Sequence, residues 1–473
     1  MASPAAGGND LESRSMRMFL QSMPKKGFVC LFLMFGVVFT ACVVAGILGP
    51  PITDSQCPTE PNSGGECVPV DFTRMNAAWI GNITNLDKLN QQLYLVMSVE
   101  LPPDHGGGKW ENVTIWQRSY GHRVDPNDPS KIDTTDAVPR GAHNYTIECP
   151  PGGGACANIT LVHFPFIAFT NYTIMITVPE TNGAPLEQVK FNFVFRDHKF
   201  TLFELWFRFA FLLLTFVAII VFAHKLRHYR WTDWQVEQKW TAFILFGLMA
   251  ANNPFFPLEI LVASWFPVFL DQVLMVTFLC MLLLFWLIMF DGVRKDAVQR
   301  SLLKFYLPKV FLVAMIWVVQ LTVFAWQEIH LLQNPQYDEL RDDPNFLVMM
   351  VTMLVLLVVY LFWMVYVVAR ACLESKTYPL LGVRIRFFGL FTLAVIVTLV
   401  GGLLFAAFGP VHNNAAEFLA EIALLNLYVY VLAFVYLPAK TSFVARTARA
   451  GADKIGMVAF EDEGDDSLEE IDH

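Results

Sequence analysis

The sequence predicts an α-helical membrane protein in three parts: an N-terminal signal-anchor helix, an extracytoplasmic antiparallel β-sandwich, and a seven-transmembrane helix bundle. Three observations predict it. With 55% hydrophobic and 16% charged residues, the chain is poorly suited to a soluble surface. Eight apolar runs reach the roughly 20 residues that a helix needs to cross a hydrocarbon core of about 30 Å. Finally, every N-x-S/T sequon falls in the one long segment between the first and second runs.

The runs are Phe28 to Leu48, Phe200 to Ala223, Thr241 to Val262, Leu270 to Phe290, Phe305 to Trp326, Phe346 to Val368, Phe387 to Phe408 and Phe418 to Leu437. The net charge of −9 is segregated along the chain, and lysine and arginine in short connections mark the cytoplasmic side. Arg14, Arg17, Lys25 and Lys26 precede the first run. Basic connections then recur at every second position: Lys225, Arg227 and Arg230; Arg294, Lys295, Arg300 and Lys304; Arg370, Lys376, Arg384 and Arg386; and Lys440, Arg446, Arg449 and Lys454 after the last run. Eight crossings with both termini cytosolic satisfy all of them. The first apolar core is longer than the 7–15 residues of a cleaved signal peptide, which favours a retained anchor. The expected division is a cytosolic N-terminus at 1–27, a first transmembrane helix at 28–48, an extracytoplasmic domain at 50–199, a bundle at 200–438 and a disordered acidic cytosolic tail at 439–473.

Residues 50–199 are too long and too polar for a loop. They carry the sequons Asn82, Asn112, Asn144, Asn158 and Asn171, the expected glycosylation sites. Cys57, Cys67, Cys149 and Cys156 also lie here, where an oxidising compartment permits disulfides. Four cysteines allow three pairings, of which the sequence-local Cys57 with Cys67 and Cys149 with Cys156 are expected. No C-x-x-C spacing supports a zinc site. Period-two alternation at Leu93 to Val99, Tyr172 to Val178 and Val189 to Phe195 marks half-buried strands. Glu111 to Ser119, Asn144 to Glu148 and Asn158 to Phe164 read the same way, giving a small sandwich whose last strand runs almost directly into the second helix.

In the bundle, the Asn252, Asn253, Pro254 and Pro257 cluster interrupts a span, and freed backbone groups must be buried in protein or line water. Ionisable residues within spans cost about 2.5–3.5 kcal/mol on insertion scales and usually find partners or water. Glu204 and Arg208 stand at i, i+4, the favourable order for a helical ion pair. Two readings of this set remain: helix ends and interface caps, or one outward-opening polar cavity lined by Arg208, Asn252, Asn253, Glu259 and Glu421. Lys309 is expected to snorkel, and Tyr428, Tyr430 and Tyr436 to sit near an interface.

A sandwich before seven helices resembles the GOLD-domain seven-transmembrane, Wntless-like architecture. The strings FELWFRF (203–209), DWQVEQKW (233–240), NNPFFPL (252–258), FLCMLLLFWL (278–287), FYLPKVF (305–311) and NLYVYVLAFVYLP (426–438) resemble the transmembrane protein 181 family. That resemblance implies an orphan, GPCR-like membrane protein of the Golgi or plasma membrane, without catalytic residues. It suggests a host receptor for a bacterial cytolethal distending toxin, or a cargo escort like Wntless. The Asp-Arg-Tyr and Asn-Pro-x-x-Tyr strings of rhodopsin-like receptors do not occur, so no coupling to G proteins is implied.

Enzyme chemistry is not expected. No phosphate loop, dinucleotide fingerprint or metalloprotease motif occurs. His224 and His228 stand at i, i+4 but lie among Lys225, Arg227 and Arg230, as at a cationic helix end. No cofactor, metal or nucleic acid is expected. The partners implied are membrane lipid, a protein ligand or cargo outside the cytosol, and sorting machinery at the acidic tail. A transporter is a second class, but no inverted repeat supports it.

Overall fold

We describe a computed structural model of the chain over residues 18–439, apart from 59–66, 74–76, 103–106, 126–127, 181–182, 185, 293–301, 335–343, 375–388, 390 and 399–412. A single helical turn, α1 (Phe19–Ser22), precedes the long apolar helix α2 (Lys25–Ile47). The bundle comprises α3 (His198–Leu226), α4 (Val236–Ala251), the short α5 (Phe256–Leu261), α6 (Trp265–Gly292), α7 (Leu307–Gln333), α8 (Pro344–Glu374) and α9 (Ala416–Val435). Seven helices among the described residues are long and apolar enough to cross a membrane, α4 and α5 counting as one span. The expected run at 387–408 lies largely outside the described residues, although 391–398 are helical.

Nine strands lie between α2 and α3, and all their pairings are antiparallel. One sheet runs in the order β1 (Thr53–Gln56), β9 (Val189–Arg196), β3 (Leu93–Leu101), β6 (Gly154–Ala155), with β7 (Ile159–Phe164) also paired to β3. The other runs β2 (Ala77–Ile83), β8 (Asn171–Glu180), β4 (Gly108–Asp125), β5 (Asp128–Cys149). Alternation dictates which side chains meet: Leu93, Leu95, Met97 and Val99 of β3 face Ile174, Ile176 and Val178 of β8 inside one apolar core. Strand β2 escapes a pattern search because Gly81 interrupts it. A Cβ at that glycine would stand 2.2 Å from the Trp79 ring folded over it. Two short strands were expected where β4 and β5 form one hairpin of 18 and 22 residues, whose register shifts bend it along the sheet. Disulfides join Cys57 to Cys67 and Cys149 to Cys156.

The sandwich sits on the bundle without a tether. Strand β9 ends at Arg196, and Asp197 caps α3 by accepting the Lys199 amide at 3.0 Å. The Asp197 amide donates to Ile52 O at 3.0 Å, and a 3-10 turn at Lys88–Asn90 touches both ends of the junction. Thr201 Oγ1 of α3 donates to Leu89 O of that turn at 2.7 Å, and Asn90 Nδ2 of the turn donates to Arg196 O at 2.9 Å. At the opposite end of the bundle, Met18 and Leu20 are buried, and the Phe19 amide donates to Leu437 O at 2.8 Å. The start of α2 and the end of α9 therefore lie at the same end.

Two expectations about membrane-edge residues are corrected. Lys309 does not snorkel. It is 2% exposed, donates to Asp291 at 2.7 Å and to Phe305 O at 2.8 Å, and lies over the Phe305 ring. A carboxylate on the neighbouring helix removes the need to reach water. Tyr428 is likewise in the core and not at an interface, because Trp286 Nε1 and the Thr392 hydroxyl meet its oxygen at 2.9 and 3.0 Å. Tyr436 is buried as well.

Candidate functional site

The polar residues at the sandwich end of the bundle form two adjoining networks. The first is ionic. Arg196, the last residue of β9, donates through Nη2 to Glu204 Oε2 at 2.5 Å. Glu204 accepts Arg208 Nε at 2.9 Å one turn along α3, so the expected i, i+4 pair forms. Arg208 extends its two terminal nitrogens to Asp271 of α6 at 3.2 and 3.4 Å. Asp271 also accepts Asn253 Nδ2 at 2.8 Å. The guanidinium of Arg208 lies 4.8 Å from the Phe256 ring centroid and 5.8 Å from that of Phe418. Its fork suits this role, since it satisfies two carboxylates and stacks on aromatic faces at once.

The second network is neutral. Asn252 and Asn426 exchange side-chain amides in a reciprocal pair, 2.9 Å each way. Asn252 Nδ2 also lies 3.0 Å from Thr215 Oγ1, whose oxygen is 2.8 Å from that of Tyr430. Tyr430 donates on to Phe211 O at 3.0 Å, joining α3, α4 and α9. The break between α4 and α5 supplies Asn252 and Asn253. Asn253 adopts φ 47, a left-handed turn that asparagine tolerates, and its Oδ1 accepts the Phe255 amide at 3.0 Å. Phe256 N donates back to Asn253 O at 3.1 Å, so local turns and side chains satisfy the backbone freed at Pro254.

The structure brings part of the expected set together. Arg208, Asn252 and Asn253 come together, each with polar atoms on a neighbour. Glu259 stands within electrostatic range of Asp271, Glu204, Arg196 and Arg208. Glu421 is exposed on α9 and stands within electrostatic range of Arg208, although among the described residues it makes no ion pair within 4.0 Å. The reason is chemical: Asp271 and Asn426 compensate the cation and the amide that otherwise need water. Both were missed by the sequence reading, although Asp271 is an ionisable residue within an apolar run and Asn426 an amide within another. A small recess does occur at the open edge of the sandwich, lined by Pro58, Val68, Trp79 and Phe191.

On the sandwich, Asn82, Asn112, Asn144 and Asn158 are exposed, and Asn171 is half-buried with its Oδ1 accepting the Asn85 amide at 3.1 Å. Four of the five lie on β2, β4, β5 and β8, all in one sheet. His163 of β7 stacks on Tyr94 at 4.2 Å, and burial lowers its pKa to about 4. His224 and His228 are exposed at the far end of α3, and His412 lies outside the described residues.

The family model described as "Wntless-like, transmembrane domain" matches residues 197–440, which include every member of both networks except Arg196. Human transmembrane protein 181 is 33% identical over 442 residues, covering 90% of this chain and 88% of the human protein.

Proposed function

Because the chain belongs to the transmembrane protein 181 family of Wntless-like multi-pass membrane proteins, we propose that it is a binding protein of the secretory pathway or cell surface. Its sandwich takes a protein or lipid-bearing ligand, and the ionic junction passes that event to the bundle. The continuous path from β9 through Glu204, Arg208 and Asp271 to the break at Asn253 carries this reading. A shift of the sandwich at Arg196 acts on two helices and an interrupted one without an intervening linker. Coupling of this kind needs a contiguous element with alternative arrangements, and an ion network under a rigid sandwich supplies the contiguity.

In this reading both termini are cytosolic and the five sequons face the lumen or the exterior. The site is, in this reading, one of recognition and not of catalysis. The preferred assignment is receptor, including for a cytolethal distending toxin; cargo escort in the Golgi is the alternative and transport the third. Restoring the chain to cells that lack it separates them. Toxin binding that returns with the wild-type chain supports the receptor. Export of a secreted protein that returns without toxin binding supports the escort. An ion or solute flux in proteoliposomes with neither of these overturns both.

A further inference from the structure

We propose that the acidic C-terminal segment, Glu461 to Asp472, docks on a basic patch at the end of the bundle opposite the sandwich. The patch is formed by Lys225, Arg227 and Arg230 at the end of α3 and by Lys239 on α4. Lys225, Arg227 and Arg230 are exposed. Arg227 touches the His228 ring nitrogen at 3.2 Å, and Lys239 lies 5.6 Å from the Trp231 centroid. Among the described residues, none of the four has a carboxylate within 4.0 Å. Asp233 and Glu237 belong to the same surface and offset part of its charge, leaving it cationic.

The occupant follows from where the chain leaves the bundle and what it then carries. Gln238 Nε2 donates to Tyr436 O at 3.0 Å, so the last turn of the chain before its tail is bonded to the element that bears Lys239. Met18 pairs with Pro438, which leaves the tail starting beside the patch. Between Glu461 and Asp472 stand eight carboxylates and no lysine or arginine. Residues 440–460 separate the acidic run from the bundle, and about 20 residues of chain reach roughly 25 Å root-mean-square. A connection of that length holds its end at an effective concentration near the millimolar range, so contacts too weak to form between molecules become populated within one. Exposed charges within about 8 Å of each other attract at physiological salt, and the attraction fades as salt rises. A docked tail would cover the face that a cytosolic partner or sorting adaptor must reach, making access to the bundle and to the tail mutually exclusive.

The test uses the full chain in nanodiscs, treated with a carbodiimide that joins carboxylates to lysines in contact, followed by peptide mapping. Crosslinks between residues 461–472 and Lys225 or Lys239 are expected within single molecules, lost at about 0.5 M salt. The variant R227Q/R230Q keeps both lysines but removes two cations, and should lower the yield roughly two- to thirty-fold, the range of two exposed ion pairs. Nanodiscs containing anionic lipid must retain the crosslinks. If that lipid abolishes them, the patch is a lipid site and the proposal is wrong. Crosslinks confined to Lys440 and Lys454 within the tail, or formed only between molecules, also overturn it.

Discussion

Replacing Glu204 with glutamine tests the junction most directly. Its side chain is 4% exposed and accepts from both Arg196 and Arg208, which are 21% and 15% exposed. Two magnitudes compete. Losing an ordinary hydrogen bond inside a helical bundle costs about 0.6 kcal/mol on average, whereas leaving a buried charge uncompensated costs about 3–5 kcal/mol. Glu204→Gln does the second to Arg196, for which no other carboxylate among the described residues is within 4.0 Å, and the first to Arg208, which keeps Asp271. Arg196 retains some access to water, so a loss of about 2–3 kcal/mol is expected, near the lower end of the uncompensated-charge range. Asp271→Asn should cost less, about 1 kcal/mol, since Arg208 retains Glu204 and an amide oxygen still accepts from Asn253. The assay is equilibrium unfolding in nanodiscs, completed as a cycle with Arg196→Gln. In the Arg196→Gln background the cost of Glu204→Gln should shrink by at least about 1 kcal/mol. Costs that add to within about 0.5 kcal/mol would mean that the two residues do not act together, and the path from sandwich to bundle would be lost.

Other outcomes follow from the same structure. His163 is held neutral by burial with its pKa near 4, while an unfolded histidine titrates near 6.5. The unfolded state therefore binds the extra proton first as pH falls. The contribution is fully present above pH 6.5 and is lost progressively down to about 4, the part lost by pH 5.5 being roughly 1.4 kcal/mol; His163→Gln should flatten that part of the stability profile measured by unfolding. The disulfides close loops with sequence separations of 10 and 7 residues. Converting either pair to serine should lower sandwich stability by between about 2 and 3 kcal/mol and slow export, whereas four free thiols by mass spectrometry would refute the pairing. Glycosidase should increase the gel mobility of the mature chain, with single asparagine-to-glutamine changes at Asn82, Asn112, Asn144 and Asn158 each removing a step. An unchanged mobility would reverse the assigned sidedness. Asp291→Asn removes the carboxylate 2.7 Å from the buried Lys309 ammonium and should cost about 3 kcal/mol, the lower end for breaking a buried pair, while replacing both with apolar residues should recover most of that loss.

What the sequence determined by itself was whatever depends on neighbours along the chain. Run length and missing charge marked the helices from Lys25–Ile47 to Ala416–Val435, because crossing hydrocarbon is a local requirement of about 20 residues. Alternation marked β3, β8 and β9 for the same reason, and the i, i+4 spacing brought Glu204 to Arg208. Both disulfides join cysteines close in sequence, where short loops favour encounter. Tertiary structure decided everything that depends on distant partners. Arg208 with Asp271 and Asn252 with Asn426 are separated by 63 and 174 residues, and no periodicity says which side chain across a helix interface will answer a charge. That is why the sequence left two readings of these polar residues, interface caps or a polar cavity, and did not show the two networks they form. It is also why Lys309 and Tyr428, legible only as polar residues in apolar runs, were assigned to the membrane edge when Asp291, Trp286 and Thr392 hold them in the core. Strand order belonged to the fold as well, since alternation specifies a strand's buried face and leaves open which strand lies beside it.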